Sequence, residues 1–172
     1  FRGKCVCRVC FLLTVTPWND RRQYYRQAPS LVTEGFDVVY LCAHPPVDVS
    51  PPFRMERLTR HETTYARLTG ALNLLPRILR LRPDVVQVCS VEQLPLGIIL
   101  SVFTRIKVVY DCREHMFYSF LHSKTQYSRL MRTLLAYACR VIESLADITF
   151  DGIIFADPGT ASWHSAAPEC RR

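Results

Sequence analysis

Five short stretches of this chain are built around apolar runs: residues 5–15 (CVCRVCFLLTV), 36–42 (FDVVYLC), 82–90 (RPDVVQVCS), 106–111 (IKVVYD) and 148–157 (ITFDGIIFAD). Successive side chains of a strand point to opposite faces, so a run without polar alternation has to be covered on both sides. Between these runs lie segments of helical spacing. Strands of that kind alternating with helices predict a parallel sheet with helices on both faces, a doubly wound, Rossmann-like α/β fold.

The helical segments carry their own punctuation. Asp20 is placed to cap a helix over 21–34, and Gly35 is placed to end it. Tyr65, Leu68, Leu72, Leu75 and Leu79 recur at steps of three and four, which predicts an amphipathic helix over 61–82 with a kink at Pro76. Residues 92–105 read as a mostly apolar helix. Residues 125–146 read as a long one, with Leu130, Leu134, Ala138, Val141 and Leu145 on its inner face. The proline-rich stretch after the second strand, AHPPVDVSPP, reads as a loop without helix.

Bulk properties narrow the class. A chain of 172 residues, 49% apolar and 22% charged, is long enough for one domain with a real core. The net charge is +7, carried almost entirely by arginine, which fits either an anionic partner such as a phosphate, a membrane surface or nucleic acid, or simply a solvated, arginine-rich surface. Aromatic residues are not interleaved with a basic stripe, so nucleic acid is not expected. The longest apolar stretch, LPLGIILSVF, is about half of the ~20 residues a membrane span needs. Most of the cysteines sit inside apolar runs and read as reduced core residues of a cytoplasmic protein. In a strand Cys5 and Cys7 share one face while Cys10 points away, so the Cys-x-Cys-x-x-Cys spacing gives no metal site, and no metal is expected.

Open α/β sheets hold ligands outside the carboxyl ends of their strands. Three such ends carry polar chemistry. Asp20 and Arg21 follow the first strand, where a helix start with nearby arginine attracts anions or is simply an ordinary capped helix. Ser90 and Glu92 follow the third predicted strand; Glu92 also suits the first turn of a helix. Asp111, Arg113, Glu114 and His115 follow the fourth. They are suited to hold a polyol or to act as acid, base or phosphate clamp, or else to form a surface ion-pair network. No Gly-x-Gly-x-x-Gly follows the first strand, which argues against a nicotinamide or flavin dinucleotide.

At these residues the chain resembles the N-terminal domain of GT-B fold glycosyltransferases, specifically the group 4-like, retaining, nucleotide-sugar-dependent transferases. NDRRQYYRQAPSLVTEGFDVVYLC resembles the family's opening, an Asp-x-Arg segment leading a helix, then Gly, then a strand. RPDVVQVCSVEQLPLGIIL is similar to the segment that ends in Leu-Pro-x-Gly. KVVYDCREHMF looks like the family's strand followed by Tyr-Asp-Ala-His-Glu, and ADITFDGIIFADPGTA like its closing strand and next helix. The chain departs from the family at Gln87, Cys89 and Ser90, where two histidines and an aspartate are common, and at Arg113, where histidine is common.

The resemblance implies an acceptor-side domain over 1–158 and a truncated linker or tail over 159–172. It implies transfer of a sugar from a nucleotide-diphosphate sugar to a hydroxyl acceptor, lipid-linked acceptors included, once a second, donor-holding domain completes the site. It implies no cofactor. On this reading Asp111, Glu114 and His115 are catalytic, while Asp20, Arg21, Ser90, Glu92 and Arg113 bind substrate. The chain is then expected in the cytoplasm, with peripheral contact at the inner face of the membrane. The alternative is a non-catalytic α/β interaction module whose basic helix (Arg60, Arg67, Arg77, Arg80) meets anionic lipid or another protein.

Overall fold

The computed structural model describes residues 6–43, 45, 50–156 and 158–164. Six strands form one sheet: β1 (Arg8–Leu13), β2 (Asp37–Ala43), β3 (Arg54–Leu58), β4 (Val85–Val88), β5 (Lys107–Cys112) and β6 (Gly152–Phe155). Their order is β3-β2-β1-β4-β5-β6 and every pairing is parallel. The chain runs outward from β1 in one direction and then from β4 in the other, so the strand order reverses between β1 and β4. At such a switch point a crevice opens at the carboxyl ends of the strands. The fold is the doubly wound, Rossmann-like α/β class that the apolar runs require.

The helices are α1 (Ala28–Thr33), α2 (Thr64–Leu72), α3 (Leu75–Leu81), α4 (Leu94–Phe103), α5 (Met116–Tyr118), α6 (Arg129–Thr149) and α7 (Pro158–Trp163). One face of the sheet presents Val9, Phe11, Leu13, Val38, Tyr40 and Cys42 to α1 and the turn before it. The other presents Cys10, Leu12, Val86, Val88, Val108, Tyr110 and Cys112 to the remaining helices. Each fully buried aliphatic or aromatic side chain in these layers contributes about 1.5–3 kcal/mol.

Proline shapes two of the helices. Residues 23–27 form a wide π-type turn, in which the Ala28 N–H reaches back five residues to the Gln23 carbonyl, and Pro29 then sits in the first turn of α1. Pro29 has no N–H to give and its ring would crowd a normal α-turn, so the helix widens just before it. The segment 61–82 is not one kinked helix. Asn73 and Leu74 separate α2 from α3, and Pro76 takes the first turn of α3, where its missing N–H is no loss. Gly35, at φ 87°, ends the first helical segment with the Phe36 N–H bonded to the Leu31 carbonyl.

Two further differences concern β3 and α6. β3 was not anticipated, because Arg54–Leu58 is a short edge strand with charged residues rather than an apolar run; charge on an edge blunts pairing with other chains. The second correction concerns α6. Its predicted inner residues face outward: Leu130 is 71% exposed, Leu134 58%, Val141 59% and Leu145 47%, and Ala138 is exposed as well. The face turned inward carries Ala136, Cys139, Glu143, Ala146 and Asp147. Small side chains there let α6 lie close to α4, where Gly97 leaves room for the Phe150 ring that a Cβ would meet at 2.6 Å. Periodicity identifies an apolar stripe but not which side of a helix its neighbours need. Leu130→Gln is therefore expected to change stability by less than about 0.5 kcal/mol in urea titrations. Ala136→Leu, which overpacks the buried side, is expected to cost about 1–3 kcal/mol.

Among the described residues no helix is long and apolar enough to cross a membrane. Cys7, Cys10, Cys42, Cys89, Cys112 and Cys139 are free thiols, and all but Cys7 are buried. Cys5 lies outside the described residues, so the face it would share with Cys7 is not seen. The helix α7 and buried His164 extend the packed domain into the segment read as a tail; residues 165–172 lie outside the described residues.

Candidate functional site

Charged residues close both ends of the sheet, but in different ways. At the amino ends they pair strand to strand: the Arg8 Nε donates to Asp37 at 2.6 Å, and Lys107 pairs with Asp151 at 2.7 Å. At the carboxyl ends of β1, β4 and β5 they surround a cavity of about 240 Å³. Its walls include Thr16 beyond β1, Ser90 and Glu92 beyond β4, Arg113 and Glu114 beyond β5, and Arg67 and Lys124 from α2 and the segment before α6. Three cations and two carboxylates thus face one small space. Complete ligand pockets hold roughly 300–1,000 Å³, so this volume suits one side of a cleft.

Gln93 holds the mouth together. It is fully buried, its Oε1 accepts the Cys89 N–H at 2.7 Å, and its Nε2 donates to the Leu12 carbonyl at 3.1 Å and to Thr14 Oγ1 at 2.8 Å. One amide therefore ties the end of β1 to the end of β4 at the place where the strand order reverses.

Arg113 is the centre of the charge network. Its two terminal nitrogens donate to the two carboxylate oxygens of Asp20 at 2.7 and 2.8 Å, a bidentate pair that fixes the guanidinium plane. The same Asp20 Oδ1 accepts the Arg22 and Gln23 N–H groups at 3.0 Å each, so the residue that starts the first helical turn also orients Arg113. Behind Arg113, at 3.7 Å, lies Asp111, which has no exposed surface. Asp111 is further held by Arg22 at 3.2 Å and by the Gln23 amide at 3.2 Å, while the Gln87 amide approaches it at 3.4 Å. The Gln23 amide also meets the Cys89 sulfur.

These surroundings drive the two aspartates apart. Burial pushes the Asp111 carboxyl up, and the opposing pull of Arg22 and Arg113 does not cancel it. Burial also acts upward on Asp20, but the Arg113 and backbone hydrogen bonds outweigh it and leave that carboxyl below its usual range. On acidification Asp111 is therefore expected to take up its proton before Asp20, which carboxyl-carbon NMR would resolve. A lowered carboxyl stabilises the fold when ionised. The contribution of Asp20 is thus present above the ordinary aspartate range and lost as pH falls through its own lower value, and Asp20→Asn should remove that acid limb.

Of the residues singled out in the sequence, Ser90, Glu92, Arg113 and Glu114 line one cavity. Asp20 and Asp111 stand behind Arg113 rather than on the cavity wall. Arg21 is exposed on the surface, and the neighbouring Arg22 is the arginine that reaches Asp111. His115 turns toward Tyr118, with ring centroids 5.9 Å apart, and is not among the cavity-lining residues. Sequence reasoning did not anticipate Gln93, Lys124, or the inward turn of Arg67, which approaches Glu92 at 3.9 Å. A glutamine before Leu-Pro gives no signal of its own, because only the adjacency of β1 and β4 supplies its partners.

The basic helix of the alternative reading is divided. Arg67 belongs to α2 and faces Glu92, Arg77 belongs to α3 and pairs with Glu56 at 2.5 Å, and Arg60 pairs with Glu62 at 3.1 Å. Three of its four arginines are thus matched by carboxylates.

No protein-family model matches the chain, and no curated protein matches it in sequence. Solved structures do match. One is a sucrose-phosphate synthase from Thermosynechococcus elongatus, with a TM-score of 0.56 over 91% of this chain and 79% of that one, at 12% sequence identity. At that identity the likeness is one of fold: this chain has a Rossmann-like α/β fold resembling that of a glycosyltransferase.

Proposed function

We propose that this domain is the acceptor-side lobe of a GT-B glycosyltransferase, acting on a nucleotide-diphosphate sugar and a hydroxyl acceptor when a donor-holding lobe completes the cleft. One observation carries the reading. The Asp20–Arg113 bidentate pair fixes a guanidinium at the wall of a small polar cavity, at the carboxyl ends of the strands where such folds bind ligands. The fold likeness to a sucrose-phosphate synthase supports the same class.

The chemistry assigned to the residues follows from their positions. A sugar hydroxyl offers both a donor and an acceptor, and Glu92, Glu114, Ser90 and Arg113 supply complementary groups around one space. Glu114 follows β5, is exposed and lines the cavity, and is suited to orient or deprotonate an acceptor hydroxyl. Arg113 is suited to meet developing negative charge, held in place by Asp20 and Asp111. Asp111 positions Arg113 and Arg22 and does not itself touch substrate. A nucleotide-sugar would be gripped mainly by the second lobe, so the 172-residue chain by itself is expected to show no transfer.

The test is NMR titration of the labelled chain with free hexoses and with uridine- and guanosine-diphosphate sugars. Shifts confined to Ser90, Glu92, Arg113 and Glu114, and abolished in Arg113→Ala, support the assignment. Shifts elsewhere, or none at all with any of these probes, sink it. In a longer chain that carries both lobes, Glu114→Ala is expected to lower turnover far more than stability, and an equal loss of both would instead make Glu114 part of a structural network.

A further inference from the structure

On the face of β5 opposite Asp111, four side chains that the transfer chemistry does not use converge in the interior. Cys112 is the last residue of β5, and strand alternation sends its side chain to the face opposite that of Asp111. Glu143 and Asp147 lie one turn apart on the inner face of α6, and His164 follows α7. Their exposures are 0%, 1%, 3% and 4%, respectively. Cys112, Glu143 and His164 each turn a ligand atom inward, and the three atoms lie within 4.8 Å of one another.

Three features of the cluster are met together by one bound ion. First, among the described residues neither carboxylate oxygen of Glu143 has a hydrogen-bond partner. A buried, unpaired carboxylate costs several kcal/mol, so such groups are normally paired or bound to metal. Arg140, one turn earlier on α6, attracts Glu143 through space but donates no hydrogen bond to it. Second, the Nδ1 of His164 lies 2.6 Å from Asp147 Oδ1, which leaves Nε2 directed at Cys112 Sγ, 3.5 Å away. A carboxylate on one imidazole nitrogen is the usual way a metal-binding histidine is oriented. Third, the sulfur-to-nitrogen spacing suits a shared ion. Zinc bonds of about 2.3 Å to sulfur and 2.0–2.1 Å to nitrogen, at tetrahedral angles, place those two atoms about 3.5 Å apart.

We infer that Cys112, Glu143 and His164 form a buried site for a divalent cation of zinc type, with Asp147 as the orienting carboxylate of His164. A thiolate and a carboxylate neutralise the dication itself, the neutral imidazole completes three protein ligands, and a water would fill the fourth tetrahedral position. Thiolate with imidazole selects zinc over magnesium or calcium, which take oxygen. The rings of Tyr110 and Phe155 stand against His164, at centroid distances of 6.4 and 5.4 Å, and help wall the site from water. The ion's role is structural. It joins the end of β5, the middle of α6 and the residue after α7, three elements that the sheet alone does not tie together. This inference is independent of the sugar-transfer reading, since none of its ligands lines the cavity.

The test is metal binding by the full chain after removal of metals with a chelator. Titration with Co²⁺ is expected to saturate at one equivalent, with a thiolate-to-cobalt charge-transfer band and intense tetrahedral visible bands, both displaced by Zn²⁺. Cys112→Ser should abolish the charge-transfer band, and Cys10→Ala should leave it. Glu143→Gln, close in shape to the parent, should weaken Zn²⁺ binding by 100-fold or more, and Asp147→Asn by about 10–100-fold. Zn²⁺ should raise the melting temperature of the parent chain and not that of Glu143→Gln. Absence of tight uptake by the parent, or a charge-transfer band that survives Cys112→Ser, would overturn the assignment. So would a Glu143→Leu chain that is more stable than the parent in the presence of Zn²⁺, because Glu143 would then be a burdened carboxylate without an ion.

Discussion

Arg113→Ala is expected to reduce ligand binding at the cavity by about 100-fold, the scale on which loss of one preorganised donor or charge partner registers. It should also destabilise the fold. Asp20 and Asp111 both lose the cation between them, and removing one member of a buried pair costs about 3–5 kcal/mol. The Arg113 side chain keeps 24% exposure and that of Asp20 17%, so solvent screens part of the loss and about 2 kcal/mol is the expected figure. Arg113→Lys separates the two effects. Lysine keeps the positive charge but cannot donate to both Asp20 oxygens in one plane, so stability should recover more than binding does. Urea denaturation read beside NMR titration of the same variants provides both numbers. Recovery of full binding in Arg113→Lys would mean that the charge alone matters and the fixed plane does not.

Gln93→Leu is expected to cost about 3 kcal/mol of stability, more than a simple count of its lost hydrogen bonds would suggest. The substitution leaves the Cys89 N–H, the Leu12 carbonyl and the Thr14 hydroxyl without their partner in the interior, and each unsatisfied buried group costs about 1–3 kcal/mol. The effect should also be local. With the ends of β1 and β4 no longer tied, amide exchange should accelerate at residues 12–14 and 88–90 before it does elsewhere in the sheet. Uniform acceleration across all six strands would show that Gln93 supports the whole core and not the mouth of the crevice. A Gln93→Glu variant tests the chemistry of the clamp: it keeps the acceptor for Cys89 but loses the donor to Leu12 and Thr14.

The aspartates around Arg113 show how an ordinary strand end becomes a differentiated site. β5 delivers Asp111 inward on one face, and its neighbour Cys112 inward on the other, within a single peptide unit. The consecutive residues then enter two separate polar clusters, one with Arg22, Gln23 and Arg113, the other with Glu143 and His164. A strand whose both faces are buried permits this, since each face has its own layer of helices to supply partners.

The apolar runs were enough to dictate a parallel, two-sided sheet, because a strand without polar alternation has no face it can leave in water. Asp20 and Gly35 announced a helix start and stop for local reasons of backbone chemistry and were legible along the chain, whereas Pro76, read as a kink, instead sits in the first turn of a separate helix. Which way α6 turns was not legible. Its large apolar residues face out because close approach to α4 favours alanine and cysteine on the inner side, a requirement set by the neighbouring helix. Nor could the chain by itself reveal that Arg113 meets Asp20 across 93 positions, that Gln93 joins two strand ends, or that Arg22 reaches the buried Asp111. Those pairings exist only once β1, β4 and β5 lie side by side. Local chemistry selects elements, while the partners of a buried polar group are chosen by whatever the folded sheet brings within hydrogen-bond reach.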